Sequence, residues 1–232
     1  MKSVLITGGT VRLGAAIAER LRAGGWRVLT SSHRADAGAD IVADLAEPMG
    51  AAKLYAAAMK ILGGNPPDAL VNNAALFTGD AAAIAAVNLE SPKKLTMLMA
   101  GRETGVGAVV NILDSVILGS LGSVGSIVLG SATLSDPNPT LSDPKRPYLA
   151  SKRSLLDFTR SSAAMFAETL RVNAVAPGPV LAPTDVHVKA GETLLGRRPT
   201  AEDVAAAVSY LLDAESVTGV VIPVDAGQHL IR

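Results

Sequence analysis

The chain has 232 residues, of which 49% are hydrophobic and 3% aromatic, and its 21 basic residues balance its 21 acidic residues. This balance gives no sign of a nucleic-acid or membrane-surface partner, and the lack of cysteine excludes disulfides, thiol catalysis and thiolate metal sites. His33, His187 and His229 are too scattered to predict a metal site. Since no apolar run is long enough to span a bilayer and no signal peptide is predicted, we expect a soluble, cytoplasmic protein.

Runs rich in Val, Ile and Leu alternate with helical patterns along the chain. The predicted strands are 3–7, 26–31, 40–43, 68–72, 106–112, 171–176 and 219–224. The predicted helices are 12–24, 47–63, 80–101, 147–168 and 200–213. This α/β alternation predicts a single-domain Rossmann fold over residues 1–232, with a doubly wound parallel sheet of about seven strands and helices on both faces. Ligands of such folds bind at the rim where the strands end.

The first strand leads into a glycine-containing loop that runs from Thr7 to Gly14 and precedes an Ala-rich helical pattern. Gly8 permits a tight turn, and Gly14 lets the helix lie close to the sheet. This layout presents backbone N–H groups and a helix N-terminus to a phosphate, although an ordinary strand–helix turn is the alternative. The candidate dinucleotide-binding residues of the loop are Gly8, Thr10, Arg12, Leu13 and Gly14.

The end of the second strand favours NADP over NAD. An acidic residue at this position would bind the ribose 2′-hydroxyl of NAD, but the sequence has Ser31 and Arg34 there, with Arg12 nearby. Guanidinium and hydroxyl groups suit a 2′-phosphate. A solvated charge is the alternative for Arg34, and Asp36 is a weaker NAD-ligand candidate because it lies past the strand. The candidate residues of this segment are Ser32, His33 and Arg34.

The next two strand ends supply further candidates. Asp44 and Leu45 follow the third strand and could contact adenine. The fourth strand ends in a segment of two amides and two alanines, which allows close approach to a ribose, with an Asx turn as the alternative. The candidates of that segment are Asn73, Ala74 and Ala75.

The fifth strand and the following helix carry groups suited to proton transfer. Asp114 follows the strand as either a ligand-facing carboxylate or a helix N-cap. Tyr148 and Lys152 are four residues apart on a predicted helix and therefore share one face. We expect the ammonium group to lower the pKa of Tyr148, which would make the phenol a proton donor or acceptor near neutral pH.

Residues 115–146 break the alternation. Their first half is apolar with regular Gly and Ser, and their second half is rich in Pro, Ser and Asp. This composition predicts an irregular insertion, either a surface excursion without a role or a lid or partner contact.

Together these segments resemble the short-chain dehydrogenase/reductase family over nearly the whole chain. The segments that carry the resemblance are Thr7–Gly14, Asn72–Ala75, Asn88, Asn111–Asp114, Tyr148–Lys152, Arg171–Gly178 and Thr218–Gly227. Three details are similar to the pteridine reductase and dihydromonapterin reductase branch. Arg12 replaces a glycine, Ser32-His33-Arg34 follows the second strand, and Asp114 stands where most relatives have a catalytic serine.

The resemblance implies an NADPH-dependent oxidoreductase that reduces a C=N or C=O bond, with a dihydropteridine as the expected substrate. It implies that Tyr148 protonates the substrate and that Lys152 binds the nicotinamide ribose. It further implies that Asp114 orients the substrate or helps to protonate it, and that Asn88 holds a water in a proton relay. Ser115 is an alternative to Asp114.

The resemblance also assigns the segment after the sixth strand. Pro177, Gly178 and Val180 are expected on the nicotinamide side, and residues 179–198 are expected to form a loop over the substrate. Phe77 is the candidate to stack on a pterin ring, with core packing as the alternative. The stretch from Ala75 to Asn88 is short for the family, which predicts a trimmed or shifted helix.

Two other functions stay open at this point. One is a general carbonyl, sugar or hydroxy-acid reductase of the same family, and the other is an NADP-binding protein without turnover. The resemblance implies a small-molecule substrate and a homotetramer or homodimer.

Overall fold

The computed structural model describes residues 1–103, 105–119, 146–180 and 193–231. The strands are β1 Ser3–Thr7, β2 Arg27–Ser32, β3 Ile41–Val42, β4 Ala69–Asn72, β5 Gly107–Ile112, β6 Leu170–Pro177 and β7 Val221–Val224. The helices are α1 Arg12–Ala23, α2 Gly50–Ile61, α3 Ala81–Ala85, α4 Ser91–Ala100, α5 Val116–Gly119, α6 Arg146–Met165 and α7 Ala201–Asp213. Short 3-10 helices cover Ala35–Ala37 and Gln228–Leu230, and a π-helical turn covers Ala86–Glu90.

The strands form one parallel sheet in the order β3-β2-β1-β4-β5-β6-β7. The chain starts in the middle, winds outwards to β3 and then returns past β1 to build the other half. The predicted doubly wound α/β fold is therefore confirmed. The order reverses between β1 and β4, and a crevice forms at such a switch point.

Helices cover both faces of the sheet, which explains the continuous apolar runs of the strands. In β1, Val4 and Ile6 pack towards α1 and α7, whereas Leu5 packs towards α2 and α4. All three are fully buried. The core is built mainly from aliphatic side chains, in agreement with the low aromatic content of the chain.

The predicted helix 80–101 is wrong as a single element. Asp80 caps α3 by accepting hydrogen bonds from the N–H groups of Ala82 and Ala83, both at 3.0 Å. The chain then passes through the π-helical turn before α4 begins. Asn88 lies in that turn, where its side chain bonds to the backbone of the preceding loop. The helix is therefore divided where a buried amide must face another segment.

Other element bounds shift by a few residues. The helix predicted at 47–63 starts at Gly50, and the strand predicted at 219–224 starts at Val221, after Gly219 with a φ of +76°.

The predicted insertion at 115–146 begins with one helical turn, α5. The amide N–H of Val116 donates to Oδ1 of Asp114 at 2.9 Å, so this carboxylate caps the turn. Residues 120–145 lie outside the described residues, as do residues 181–192 of the predicted substrate loop.

No helix in the described part of the chain is long and apolar enough to cross a membrane. Nor do the described ranges bring three or more acidic or histidine side chains together as a metal site.

Candidate active site

The glycine loop joins β1 to α1 in a tight turn. A Cβ atom on Gly14 would lie 2.0 Å from the carbonyl oxygen of Gly8, so the helix can approach the loop this closely only with glycine there. Gly8 and Arg12 have φ angles of +62° and +51°. For Arg12 this left-handed conformation is uncommon, and its side chain is exposed at the rim. The left-handed residues Gly8 and Arg12 thus turn the chain sharply from β1 into α1.

Thr7 and Asn73 fasten the loop to β4. The hydroxyl oxygen of Thr7 accepts hydrogen bonds from the N–H groups of Asn73 and Ala74, each at 3.0 Å. The side-chain amide of Asn73 donates to the carbonyl oxygens of Thr7 and Gly8, also at 3.0 Å. Asn73 therefore supports the turn through its side chain.

A cleft of about 940 Å³ runs along the strand ends. All of the residues predicted to bind the cofactor line it: Gly8, Thr10, Arg12, Leu13, Gly14, Ser32, His33, Arg34, Asp44, Leu45, Asn73, Ala74, Ala75, Tyr148, Lys152, Pro177, Gly178 and Val180. Asp114 also lines the cleft, whereas Asn88 and Phe77 lie behind or beside its lining residues.

At the β2 end of the cleft, Arg34 forms an ion pair with Asp36. Its Nε donates to Oδ1 at 3.0 Å and its Nη2 donates to Oδ2 at 2.8 Å. The hydrogen bonds and opposite charges raise the pKa of Arg34 and lower the pKa of Asp36. The Ser32 hydroxyl accepts from the N–H of Arg34 at 3.1 Å. Arg34 is thus paired with a carboxylate, a contact that the sequence analysis did not predict.

At the other end of the cleft, the Tyr148 hydroxyl donates to Oδ2 of Asp114 at 2.9 Å. These residues are 34 positions apart, and they meet because β5 ends and α6 begins at the same rim. The other oxygen of Asp114 caps α5. The two alternatives for Asp114, N-cap and cleft-facing group, therefore both hold.

The expectation that Lys152 lowers the pKa of Tyr148 is wrong. Burial raises the pKa of Tyr148 far above its ordinary value, and the negative charge of Asp114 and its hydrogen bond add to the rise. The Nζ of Lys152 lies 5.7 Å from the tyrosine ring centroid and donates to the carbonyl oxygen of Ile112 at 2.8 Å. Burial lowers the pKa of Lys152 to about 8, although the charge of Asp114 acts in the opposite direction. The raised pKa favours the neutral phenol, the form that can donate a proton.

Asn88 lies beside Ser151 of α6 and uses its side chain to join α6 to the backbone of Leu76. Its side chain accepts from the N–H of Leu76 at 2.7 Å and donates to the carbonyl oxygen of Leu76 at 2.8 Å. It also donates to the Ser151 hydroxyl at 3.1 Å, and that hydroxyl donates to the carbonyl oxygen of Tyr148 at 2.7 Å. The sequence analysis missed Ser151, but its position three residues after Tyr148 on the same helix face could have indicated it.

Phe77 packs against the tyrosine. The two ring centroids are 4.6 Å apart and the rings are tilted by 50°. Because Phe77 is 50% exposed, it is not a core residue. It covers one side of the Tyr148 ring.

The parallel sheet, the glycine loop and the tyrosine–lysine helix together define an oxidoreductase class built on a Rossmann fold. A family profile described as enoyl-(acyl carrier protein) reductase matches residues 11–229. The chain belongs to the short-chain dehydrogenase/reductase family, as predicted.

Similar proteins come from several branches of that family. Granaticin polyketide synthase putative ketoacyl reductase 2 from Streptomyces violaceoruber is 31% identical over 98% of this chain and 96% of its own. Dihydromonapterin reductase from Escherichia coli is 35% identical over 38% of this chain and 39% of its own. The crystal structure of FolM alternative dihydrofolate reductase 1 from Brucella canis, complexed with NADP, matches with a TM-score of 0.79. It has 30% sequence identity, and the match covers 99% of this chain and 94% of that one.

Proposed function

We propose that the protein is an NADPH-dependent reductase that transfers a hydride to a C=N or C=O bond, with a dihydropteridine as substrate. The observation that carries the proposal is the hydrogen bond of 2.9 Å from the Tyr148 hydroxyl to Asp114, in the wall of a cleft of about 940 Å³. Further support comes from the dihydromonapterin reductase similarity and from the NADP complex of the structural neighbour.

The cleft fits NADP at several points. Gly8 and Gly14 line the cleft beside the start of α1, where backbone N–H groups at a helix N-terminus suit a pyrophosphate. Arg34 and Arg12 line the cleft where a 2′-phosphate needs cations. At the opposite end, a Cβ atom on Gly178 would lie 2.7 Å from Cβ of Asp225, so the wall on the nicotinamide side is formed by closely packed backbone. NADPH, when bound, supplies the hydride.

In the proposed reaction, Tyr148 gives the proton. Hydride addition leaves a lone pair on the substrate nitrogen or oxygen, and the Tyr148 hydroxyl turns from Asp114 to protonate that atom. The Lys152 ammonium, 5.7 Å from the ring centroid, stabilises the resulting phenolate until it regains a proton.

Asp114 accounts for the proposed preference for a pterin. An ionised carboxylate is an acceptor of hydrogen bonds, and a pterin presents an amino group and a ring N–H as donors. Asp114 already has one oxygen directed at the cleft through Tyr148. A simple ketone presents no such donors to the Asp114 carboxylate.

The remaining assignments are part of the proposal. Asn88 is proposed to hold a water in the proton relay, and its hydrogen bond to Ser151 holds it beside the start of α6. Phe77 is proposed to offer a ring beside the substrate. The protein is proposed to act in the cytoplasm as a homodimer or homotetramer. Light scattering tests the oligomeric state.

A general carbonyl reductase is the second candidate, because the ketoacyl reductase relative matches nearly the whole chain. An NADP-binding protein without turnover is disfavoured by the proximity of Asp114, Tyr148 and Lys152 in one cleft.

A substrate panel distinguishes these functions. Oxidation of NADPH and NADH is followed with dihydrobiopterin, dihydromonapterin, simple ketones, sugars and hydroxy-acid precursors. The proposal expects NADPH-dependent turnover of a dihydropteridine above that of any ketone. Turnover of ketones alone favours the second candidate, and no oxidation with any substrate, despite NADPH binding, favours the binding protein.

A further inference from the structure

The β2 end of the cleft carries a carboxylate that the proposed NADP site does not use. Asp36 lies in the 3-10 helix Ala35–Ala37, two residues beyond Arg34, and it lines the cleft. Both of its oxygens accept hydrogen bonds from the Arg34 guanidinium, at 3.0 and 2.8 Å. The Nε and Nη2 groups of Arg34 form one of the two edges of the guanidinium that can bind a phosphate in the same bidentate manner.

We propose that Asp36 is a specificity-determining residue that competes with the 2′-phosphate of NADP for Arg34. It thereby limits the preference of the site for NADP over NAD. The inference rests on the proposed cofactor site. A 2′-phosphate that binds the Nε and Nη2 edge of Arg34 must displace Asp36, and one that binds the other edge lies near its negative charge, whereas the 2′-hydroxyl of NAD leaves the ion pair intact.

The ion pair is placed so that a ligand can exchange with it. The side chains of Arg34 and Asp36 are 64% and 71% exposed, and exposed pairs of this kind are weak and screened by salt. The backbone N–H of Arg34 is held separately by the Ser32 hydroxyl at 3.1 Å. The guanidinium can therefore change partners while the strand end stays in place, so Asp36 reduces phosphate affinity without preventing binding.

The experiment measures dissociation constants of NADPH and NADH by cofactor fluorescence. The proteins are wild type, Asp36→Asn, Arg34→Ala and the double variant. We expect Asp36→Asn to tighten NADPH binding by roughly three- to tenfold at low ionic strength, with NADH unchanged within about twofold. The gain should shrink in high salt and should be absent when Arg34 is alanine.

Glu202→Gln is the matched control. It also removes one negative charge from an exposed ion pair, with Arg20, but Glu202 does not line the cleft. Both dissociation constants should stay as in wild type.

The outcomes separate the two proposals. Weaker NADH binding in Asp36→Asn would show that Asp36 binds the ribose hydroxyl and would overturn the inference. Equal tightening of both cofactors, or tightening in Glu202→Gln, would also overturn it, because a general charge effect would then be at work. Failure of the wild type to bind either cofactor would instead refute the proposed function, before any variant is compared.

Discussion

The two ends of the cleft differ in how deeply their polar side chains are buried. At the inner end, Tyr148 and Lys152 are 7% and 2% exposed and are tied to Asp114 and to backbone. At the outer end, the Arg34–Asp36 pair is mostly exposed. A buried polar group keeps its partner because the loss of that partner leaves a desolvated group unsatisfied, whereas an exposed pair can exchange with water or ligand. We therefore expect the inner end to be preorganised for chemistry and the outer end to be adjustable for recognition.

The largest effect is expected at the inner end, from Tyr148→Phe. Loss of the proton donor should lower kcat by about 10²- to 10⁴-fold, the range of general acid catalysis. The ring still packs against Phe77, so the dissociation constant of NADPH should stay close to wild type. Steady-state rates and fluorescence titration measure the two quantities. Full activity in Tyr148→Phe would assign the proton to another group.

Asp114→Ser tests what the carboxylate adds. For a dihydropteridine, kcat/KM should fall by about 10- to 100-fold, as expected for loss of hydrogen bonds to a charged group. For a simple ketone the change should be smaller, since a ketone offers no N–H donor. The comparison uses the same protein preparation with both substrates. An equal loss for both would remove the basis for the pterin assignment.

The lowered pKa of Lys152 predicts that kcat/KM depends on pH. With its pKa lowered to about 8, the ammonium is present below that pH and is lost as the pH rises through it. The pKa of Tyr148 is raised, so the phenol stays protonated over the same range. We therefore expect kcat/KM to fall by roughly tenfold per pH unit above about 8.

Lys152→Arg identifies the group responsible for that fall. A guanidinium keeps its charge, so any remaining activity should show its decline shifted to higher pH. A decline that stays at the same pH in this variant would mean that a different group titrates.

The smallest effect is expected for Phe77→Ala, which removes the half-exposed ring beside Tyr148. Loss of a stacking ring should raise KM for the dihydropteridine by roughly two- to tenfold and leave kcat nearly unchanged. Phe77→Tyr keeps the ring and serves as the control. A fall in kcat alone would indicate that Phe77 acts by positioning Tyr148.

The sequence predicted the sheet well because buried parallel strands are short apolar runs. Val4, Leu5 and Ile6 illustrate this, since each is buried by helices on one face or the other. The break in the helix predicted at 80–101 could not be predicted, because Asn88 finds its partner in the backbone of Leu76, outside the helical pattern. Periodicity reports the apolar face of a helix, not where a single amide interrupts it.

Only some features of the site could be predicted from the sequence. The position of Tyr148 beside Lys152 follows from helical spacing, but the direction of the tyrosine pKa depends on burial and on Asp114, which comes from another element. The Arg34–Asp36 pair depends on side-chain orientation beyond a strand end. Local spacing carries neither kind of information.

The most direct test of the two-ended cleft is a single-turnover measurement of NADPH oxidation with a dihydropteridine, in wild type, Tyr148→Phe and Arg34→Ala. Tyr148→Phe should slow the oxidation at saturating cofactor while NADPH affinity is retained. Arg34→Ala should weaken NADPH binding while the rate at saturation is retained. If either variant changes both quantities to the same degree, or if the wild type oxidises no NADPH with any dihydropteridine, the account is contradicted.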